Sequence, residues 1–278
     1  VTLANADFHF STFTLFLQFK LPYNHMFELC AIASGSNGNC YYIGNQHEAV
    51  LVDAGLSARR IVARMRLRNL DPTKVKAIII SHEHADHVSG ARVLGKRLRI
   101  PVYLTSQTYM AMYALHQPIA PRFFLPGSEI RIGSFKVHTF SKNHDAAEPC
   151  SFRIEYNGMH VGVFTDIGSP CEHVIHHFKK CHAIYLETNY DEKMLWEGSY
   201  PWPLKKRIAS DLGHMSNDQA FNLLAEHSGD QLRLIFLSHL SAENNRPEIA
   251  RLRFSEFDDR FAIHLTSRYE AGEVFYME

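Results

Sequence analysis

The chain reads as an α/β protein of packed β-sheets with helices on their outer faces. Three observations predict this. Apolar runs of strand length alternate with helically spaced segments towards both ends, a hairpin meander lies between, and no repeat, low-complexity tract or long linker interrupts the pattern. Residues 27–33 form the first apolar strand. A turn-dense stretch from Ser34 to Asn39 follows, then short strands at 40–43 and 49–52. Residues 57–68 have helical spacing, with Ile61 and Met65 on the inner face. Residues 76–80 are almost continuously apolar, as in a strand covered on both faces. Helix is predicted at 88–98 and 107–115, with a strand at 102–104 between them. After Pro126-Gly127 come strands at 129–132, 135–140, 151–155 and 159–164, joined by short turns. Strands at 183–186, 233–237 and 261–265 then alternate with helices at 218–226 and 246–254.

Composition narrows the classes of function. Lys and Arg number 29 and Asp and Glu 29, so the formal net charge is zero, which excludes coating nucleic acid or an anionic membrane by bulk charge. Hydrophobic residues make up 46% and charged residues 21%, a globular rather than disordered composition. Five cysteines without a C-x-x-C pair argue against a disulfide framework or an all-cysteine zinc site, and predict a reducing cytoplasm. Residues 1–25 crowd phenylalanines among Ser and Thr without a basic leader, a cleavage site or a membrane-length apolar run. They are predicted to be an extension, such as an upstream start codon would add, outside a working domain spanning 26–278. Their deletion is expected to leave folding and activity intact.

The abnormal count is 18 histidines. Four potential metal ligands, His82, His84, Asp86 and His87, fall within six residues directly after the apolar strand that ends at Ile80. Alternation along an extended chain places His82 and His84 on one side, and the turn into the next helix lets Asp86 and His87 reach a second nearby point. Left bare in an apolar core, such groups cost several kcal/mol each, so a loop abutting a buried strand is read as holding metal. A zincin helix is excluded, because Asp86 stands where H-E-x-x-H requires its second histidine.

The motif H-x-H-x-D-H after a strand resembles the metallo-β-lactamase superfamily, which implies a four-layer αβ/βα sandwich of two mixed sheets flanked by helices. Asp53-Ala54-Gly55 is similar to the family's first motif, which supports the metal loop, although Asp53 could also cap the following helix. Three segments resemble the later motifs and bring His144, Asp166 and His239. The resemblance implies two divalent ions, one on His82, His84 and His144, the other on Asp86, His87 and His239, bridged by Asp166. Such a donor set suits zinc, with manganese or iron also compatible. Two ions roughly 3.5–4 Å apart would share a hydroxide.

Asp166 occupies the position where a secreted two-zinc β-lactamase carries cysteine, which points away from antibiotic hydrolysis. Further segments, among them Asn143–Pro149 (residues 143–149), Leu186-Glu187-Thr188-Asn189, Gly213-His214-Met215-Ser216 and residues 238–245, resemble the YycJ/WalJ-like group of bacterial exonucleases. That resemblance implies a metal-dependent phosphodiesterase acting on DNA 5′→3′. Its catalytic groups would be Asp86 and His214, the latter protonating the leaving oxygen with Glu187 orienting it. His214 could instead cap the helix that follows. Rival readings are cleavage of RNA, a small phosphodiester or a thioester on the same fold, and a regulatory binding protein with structural metals.

Other groups are less specific. Residues 34–39 could cradle phosphate or simply turn a hairpin. Rows containing Arg60, Arg64 and Arg68, or Arg92, Lys96, Arg97 and Arg99, or Lys205-Lys206-Arg207, read as solvated helix faces or as contacts to DNA phosphates. Trp196, Tyr200 and Trp202 could stack bases or pack in the core. His173, His176, His177 and His182 read as helix surface or packing.

Overall fold

The structure, a computed structural model, describes residues 26–278; the predicted extension at 1–25 lies outside them. Fourteen strands among the described residues form two seven-stranded sheets. The first contains β1 (Phe27–Ala33), β2 (Cys40–Gly44), β3 (Ala49–Val52), β4 (Val75–Ile79), β5 (Val102–Leu104) and β6 (Pro121–Phe123). The second contains β7 (Glu129–Ile132), β8 (Phe135–Ser141), β9 (Cys150–Tyr156), β10 (Met159–Phe164), β11 (Ala183–Glu187), β12 (Leu234–Ser238) and β13 (Ala262–Leu265). β14 (Phe275–Met277) returns to the first sheet, giving the orders β14-β1-β2-β3-β4-β5-β6 and β13-β12-β11-β10-β9-β8-β7.

Connection length sets the direction of the pairs formed by consecutive strands. The short turns joining β1 to β2, β2 to β3, β7 to β8, β8 to β9 and β9 to β10 give antiparallel neighbours. Parallel strands need a crossover, which helices supply. In the first sheet the crossovers carry α1 (Ala58–Leu67), α2 (Ala85–Val88), α3 (Ala91–Leu98) and α4 (Ser106–Ala111). In the second they carry α5 (Glu172–Phe178), α6 (Glu192–Glu197), α7 (Trp202–Ile208), α8 (Asn217–His227) and α9 (Pro247–Arg253). The apolar residues fall into three clusters. One packs Ile61, Met65 and Leu94 on the outer face of the first sheet, a second lies between the sheets, and the third packs Val174, Leu223 and Ala250 on the outer face of the second. That is the expected helix–sheet–sheet–helix sandwich. β4 shows why its sequence does not alternate: Ala77 and Ile79 enter the inter-sheet cluster while Val75 and Ile78 face the helices. Truncating Ile78 or Ile79 to alanine is worth about 2–5 kcal/mol.

The structure corrects the sequence reading in places. The helix predicted at 88–98 is broken between α2 and α3 at Gly90, whose N–H donates to Ala54 O at 2.7 Å. A Cβ there would sit 2.1 Å from Leu56 O, so the loop that begins α2 closes on the 54–56 segment only through glycine. The helix predicted at 107–115 spans Ser106–Ala111, and the chain turns extended at Met112. Arg64 and Arg68 are not a solvated row. Arg64 is buried and donates to Ile32 O at 2.9 Å and to Tyr269 O, and Arg68 Nε donates to Ala271 O at 3.0 Å. They satisfy a carbonyl of β1 and carbonyls of the irregular segment leading to β14.

Candidate metal centre

The C-terminal ends of β3, β4, β8, β10, β11 and β12 meet along one edge shared by both sheets. Asp53 follows β3, His82 follows β4, His144 follows β8, Asp166 follows β10, Glu187 ends β11 and His239 follows β12. Crevices beyond the carboxyl ends of parallel strands are where α/β sheets bind ligands. Asp53, Asp166 and His239 leave their strands with φ of 61°, 57° and 57°, a left-handed backbone that is costly for residues with a Cβ and concentrates at functional sites. Gly55 lets the two halves of the first-sheet loop touch, since a Cβ there would meet Asp86 O at 1.6 Å.

All seven predicted ligands converge. Their atoms form overlapping groups of His82, His84 and His144, of Asp86, His87 and His239, and of His82, His87 and Asp166, each within 4.8 Å. His82 Nε2 lies 3.1 Å from His84 Nδ1, and His87 Nε2 lies 3.3 Å from Asp166 Oδ2 and 3.5 Å from Asp86 Oδ2. The protein holds the far nitrogen of four rings. Nδ1 of His82 pairs with Ser81 Oγ at 2.9 Å, that of His87 with Asp53 Oδ2 at 2.8 Å, that of His144 with Gly213 O at 3.1 Å and that of His239 with Glu187 Oε1 at 2.9 Å. Each ring is thereby oriented with Nε2 toward the common centre, the arrangement by which proteins fix histidine ligands. Asp53 also accepts from Ser81 N–H at 2.8 Å, while Ser57 caps α1, so Asp53 supports the site rather than the helix.

Three of the inward atoms, His144 Nε2, Asp166 Oδ2 and His239 Nε2, are buried without a hydrogen-bond partner. Burial opposes ionisation of Asp166 and Asp86, but neighbouring His87 and His239 hold both well below the usual carboxylate range. Burial keeps His82 well below its ordinary value and His144 at about 3. His87 and His239 go the other way: burial works against their charge, yet Asp166 and the other carboxylates raise His87 strongly and His239 to about 10. The buried carboxylates are thus balanced only by drawing charge onto His87 and His239, while His144 Nε2, Asp166 Oδ2 and His239 Nε2 stay without partners, a costly arrangement that a bound cation would complete. The donor set therefore fits divalent metal.

Glu187 and His214 join this centre. Burial raises the Glu187 carboxyl, but His214 and His239 outweigh it and hold it at about 2. Its Oε1 accepts from Nδ1 of His214 at 2.8 Å and of His239 at 2.9 Å, and its Oε2 accepts from Ile167 N–H at 2.7 Å. The His214 side chain retains 22% exposure, while His82, His87, His144 and His239 are closed off. Its capping role is excluded, because Ser216 caps α8 through a reciprocal box with Gln219.

Two contributors escaped the sequence reading. Asn39, from the loop predicted as a phosphate cradle or hairpin turn, places Nδ2 3.3 Å from Asp86 Oδ2 and 3.1 Å from His87 Nε2. Asn189 Nδ2 donates to His239 O at 2.9 Å. Trp196 and Trp202 are exposed and lie 5.3 Å apart, which removes their core reading. Lys205 is buried against Trp196 O and Gly198 O, whereas Arg207 reaches Asp145, beside His144, at 2.6 Å. His177 stacks on Phe140, as packing predicts. Among the described residues, no helix is long and apolar enough to cross a membrane.

Residues 33–178 match the Metallo-beta-lactamase superfamily. The chain is 36% identical over 228 residues to the exodeoxyribonuclease YycJ of Bacillus anthracis, covering 81% of this chain and 86% of that one. It is 32% identical over 231 residues to the exodeoxyribonuclease WalJ of Streptococcus pneumoniae serotype 2, with the same shares covered. The crystal structure of the metallo-β-lactamase fold protein YhfI from Bacillus subtilis matches with a TM-score of 0.69 at 16% identity, over 91% of this chain and 100% of that one. The last likeness is one of fold alone. This chain belongs to the metallo-β-lactamase superfamily, in its YycJ/WalJ-like group, and is a metal-dependent hydrolase.

Proposed function

We propose that this protein is a phosphodiesterase that degrades DNA from its 5′ end. Two divalent cations, of which zinc best suits the donors, would be held by His82, His84 and His144 and by Asp86, His87 and His239, with Asp166 between. The observation that carries the reading is the convergence of three orphaned buried atoms, His144 Nε2, Asp166 Oδ2 and His239 Nε2, on one centre. The choice of DNA follows the two relatives named exodeoxyribonucleases, and the polarity follows the resemblance to their group. Five free thiols fit a reducing cytoplasm.

When bound, such ions acidify a water and draw charge from phosphoryl oxygens. The chain supplies the rest. Asp86 and Asp166 hold negative charge at the centre, and the Nδ1 partners keep four imidazoles aimed inward. His214 donates Nδ1–H to Glu187, which fixes the ring and leaves Nε2 to carry the proton for the departing oxygen. The test is incubation of metal-loaded protein with end-labelled DNA and, separately, with bis-p-nitrophenyl phosphate. Mononucleotide release from a 5′ label before the 3′ label supports the reading. Hydrolysis of the small diester with intact DNA contradicts it.

A further inference from the structure

The charge of this neutral chain is unevenly spread. Residues 54–124 contain twelve Lys and Arg against three Asp and Glu, an excess of nine positive charges that the remaining sequence cancels. Part of that excess gathers at a pocket of about 360 Å³ beside α3 and the starts of β5 and β6. Arg92, Lys96, Arg99 and Arg122 line it, Pro118 and Ile119 form part of its wall, and no carboxylate borders it. All four cationic residues are exposed. Among the described residues none of them stands in an ion pair, whereas Lys74, Lys136 and Arg207 pair with Glu28, Glu155 and Asp145 at 3.1, 2.8 and 2.6 Å.

Neutralisation of a helix end does not account for this grouping. Lys96 lies in the last turn of α3 and Arg99 caps it, where cations offset the helix dipole. Arg92 lies in the first turn, where a cation works against that dipole, and Arg122 comes from β6, a separate element. Arg92 also donates to Gln117 O at 2.8 Å, which ties down the loop forming the wall. Four converging cations around a concavity without an acid match a phosphodiester backbone, whose recognition rests on such charge.

We infer that this pocket binds backbone phosphate of the DNA substrate at a distance from the metal centre. The inference rests on the reading of the protein as a DNA nuclease. The pocket lies at the starts of β5 and β6, the opposite ends of these parallel strands from the metal centre, and α3 connects the two. α3 begins four residues after His87, and its eight residues extend about 12 Å, about three to four base-pair steps of DNA, along which the strand would run. A substrate of one or two nucleotides leaves the pocket empty, and a longer strand fills it.

The experiment compares the parent protein with the Arg99→Gln/Arg122→Gln double variant, both metal-loaded. Fluorescence anisotropy with a labelled 30-nucleotide phosphorothioate DNA reads binding across a salt series, and bis-p-nitrophenyl phosphate reads the centre itself. The variant is expected to bind DNA more weakly at every salt concentration and to lose about 2 from the slope of log affinity against log salt, about 1 per side chain. Its rate on the small diester is expected to equal the parent's. Equal DNA affinity and equal slope in both proteins overturn the inference. Failure of the parent to cleave ordinary DNA overturns the nuclease reading instead, and the anisotropy comparison still decides the pocket.

Discussion

Among the described residues, two clusters offer histidine and carboxylate at metal-binding separation, and they behave oppositely. One is the centre built on His82, His144, Asp166 and His239. The other is His138, Glu155 and His160 on the strands β8, β9 and β10, whose ligand atoms also lie within 4.8 Å of one another. In the second, Lys136 reaches Glu155 at 2.8 Å, His138 reaches it at 2.9 Å, and Arg153 reaches His160 at 2.6 Å. The cluster already contains its cations. Burial and then Arg153 push His160 down to about 4, whereas the carboxylates around His239 raise it to about 10 against its burial. Residue types alone therefore do not make a metal site. The sign of the surrounding field and the orphaned atoms separate the two, because a satisfied cluster gains little from a cation and an unsatisfied anionic one gains much.

The comparison is tested most severely at Asp166. Asp166→Asn removes the charge placed between the two ligand groups, and metal content and DNA hydrolysis are expected to fall together, the rate by at least about 10³-fold for a loss of several kcal/mol. Elemental analysis beside a hydrolysis assay checks this, and full metal content with full activity in the variant would remove Asp166 from the centre. His214→Ala removes no predicted ligand. It is expected to keep its metal while the rate falls about 10²–10⁴-fold, the range for a general acid; a fully active, metal-loaded variant removes His214 from the mechanism.

A smaller effect concerns stability after chelation. The folded value of His239, about 10, lies above its ordinary 6.5. Its contribution is therefore complete below about pH 6.5 and is lost as the pH rises toward 10. The melting temperature of chelated protein is expected to fall across that window, and a flat profile would show that the imidazole–carboxylate pairing does not stabilise the metal-free fold.

How much the sequence disclosed follows from how local each feature is. β1, β3, β5, β7 and β10 have the predicted bounds, because each is an apolar or, in β7, an alternating run closed by turn residues. The loop carrying His82, His84, Asp86 and His87 is legible for the same reason: four ligands stand side by side after a buried strand. His144, Asp166 and His239 stand alone in the chain, and only the family's order of motifs singles them out. β6 and β14, three residues each, owe their form to the strand beside them rather than to their own pattern. Asn39 looks like any turn asparagine until Asp86 and His87 are brought against it. Arg64 and Arg68 follow helical spacing like solvated residues, yet they serve carbonyls some two hundred positions away. α6 and α7 show little amphipathic pattern, since Trp196 and Trp202 face outward.

The central claim is that metal is selected by the unsatisfied cluster and ignored by the satisfied one. Elemental analysis of the parent, of His144→Ala and of His138→Ala/His160→Ala, each purified without added metal, tests it directly. Two ions per chain are expected in the parent and in the double variant, and fewer in His144→Ala. A parent without bound metal, or one whose metal disappears only with His138 and His160, would contradict the account.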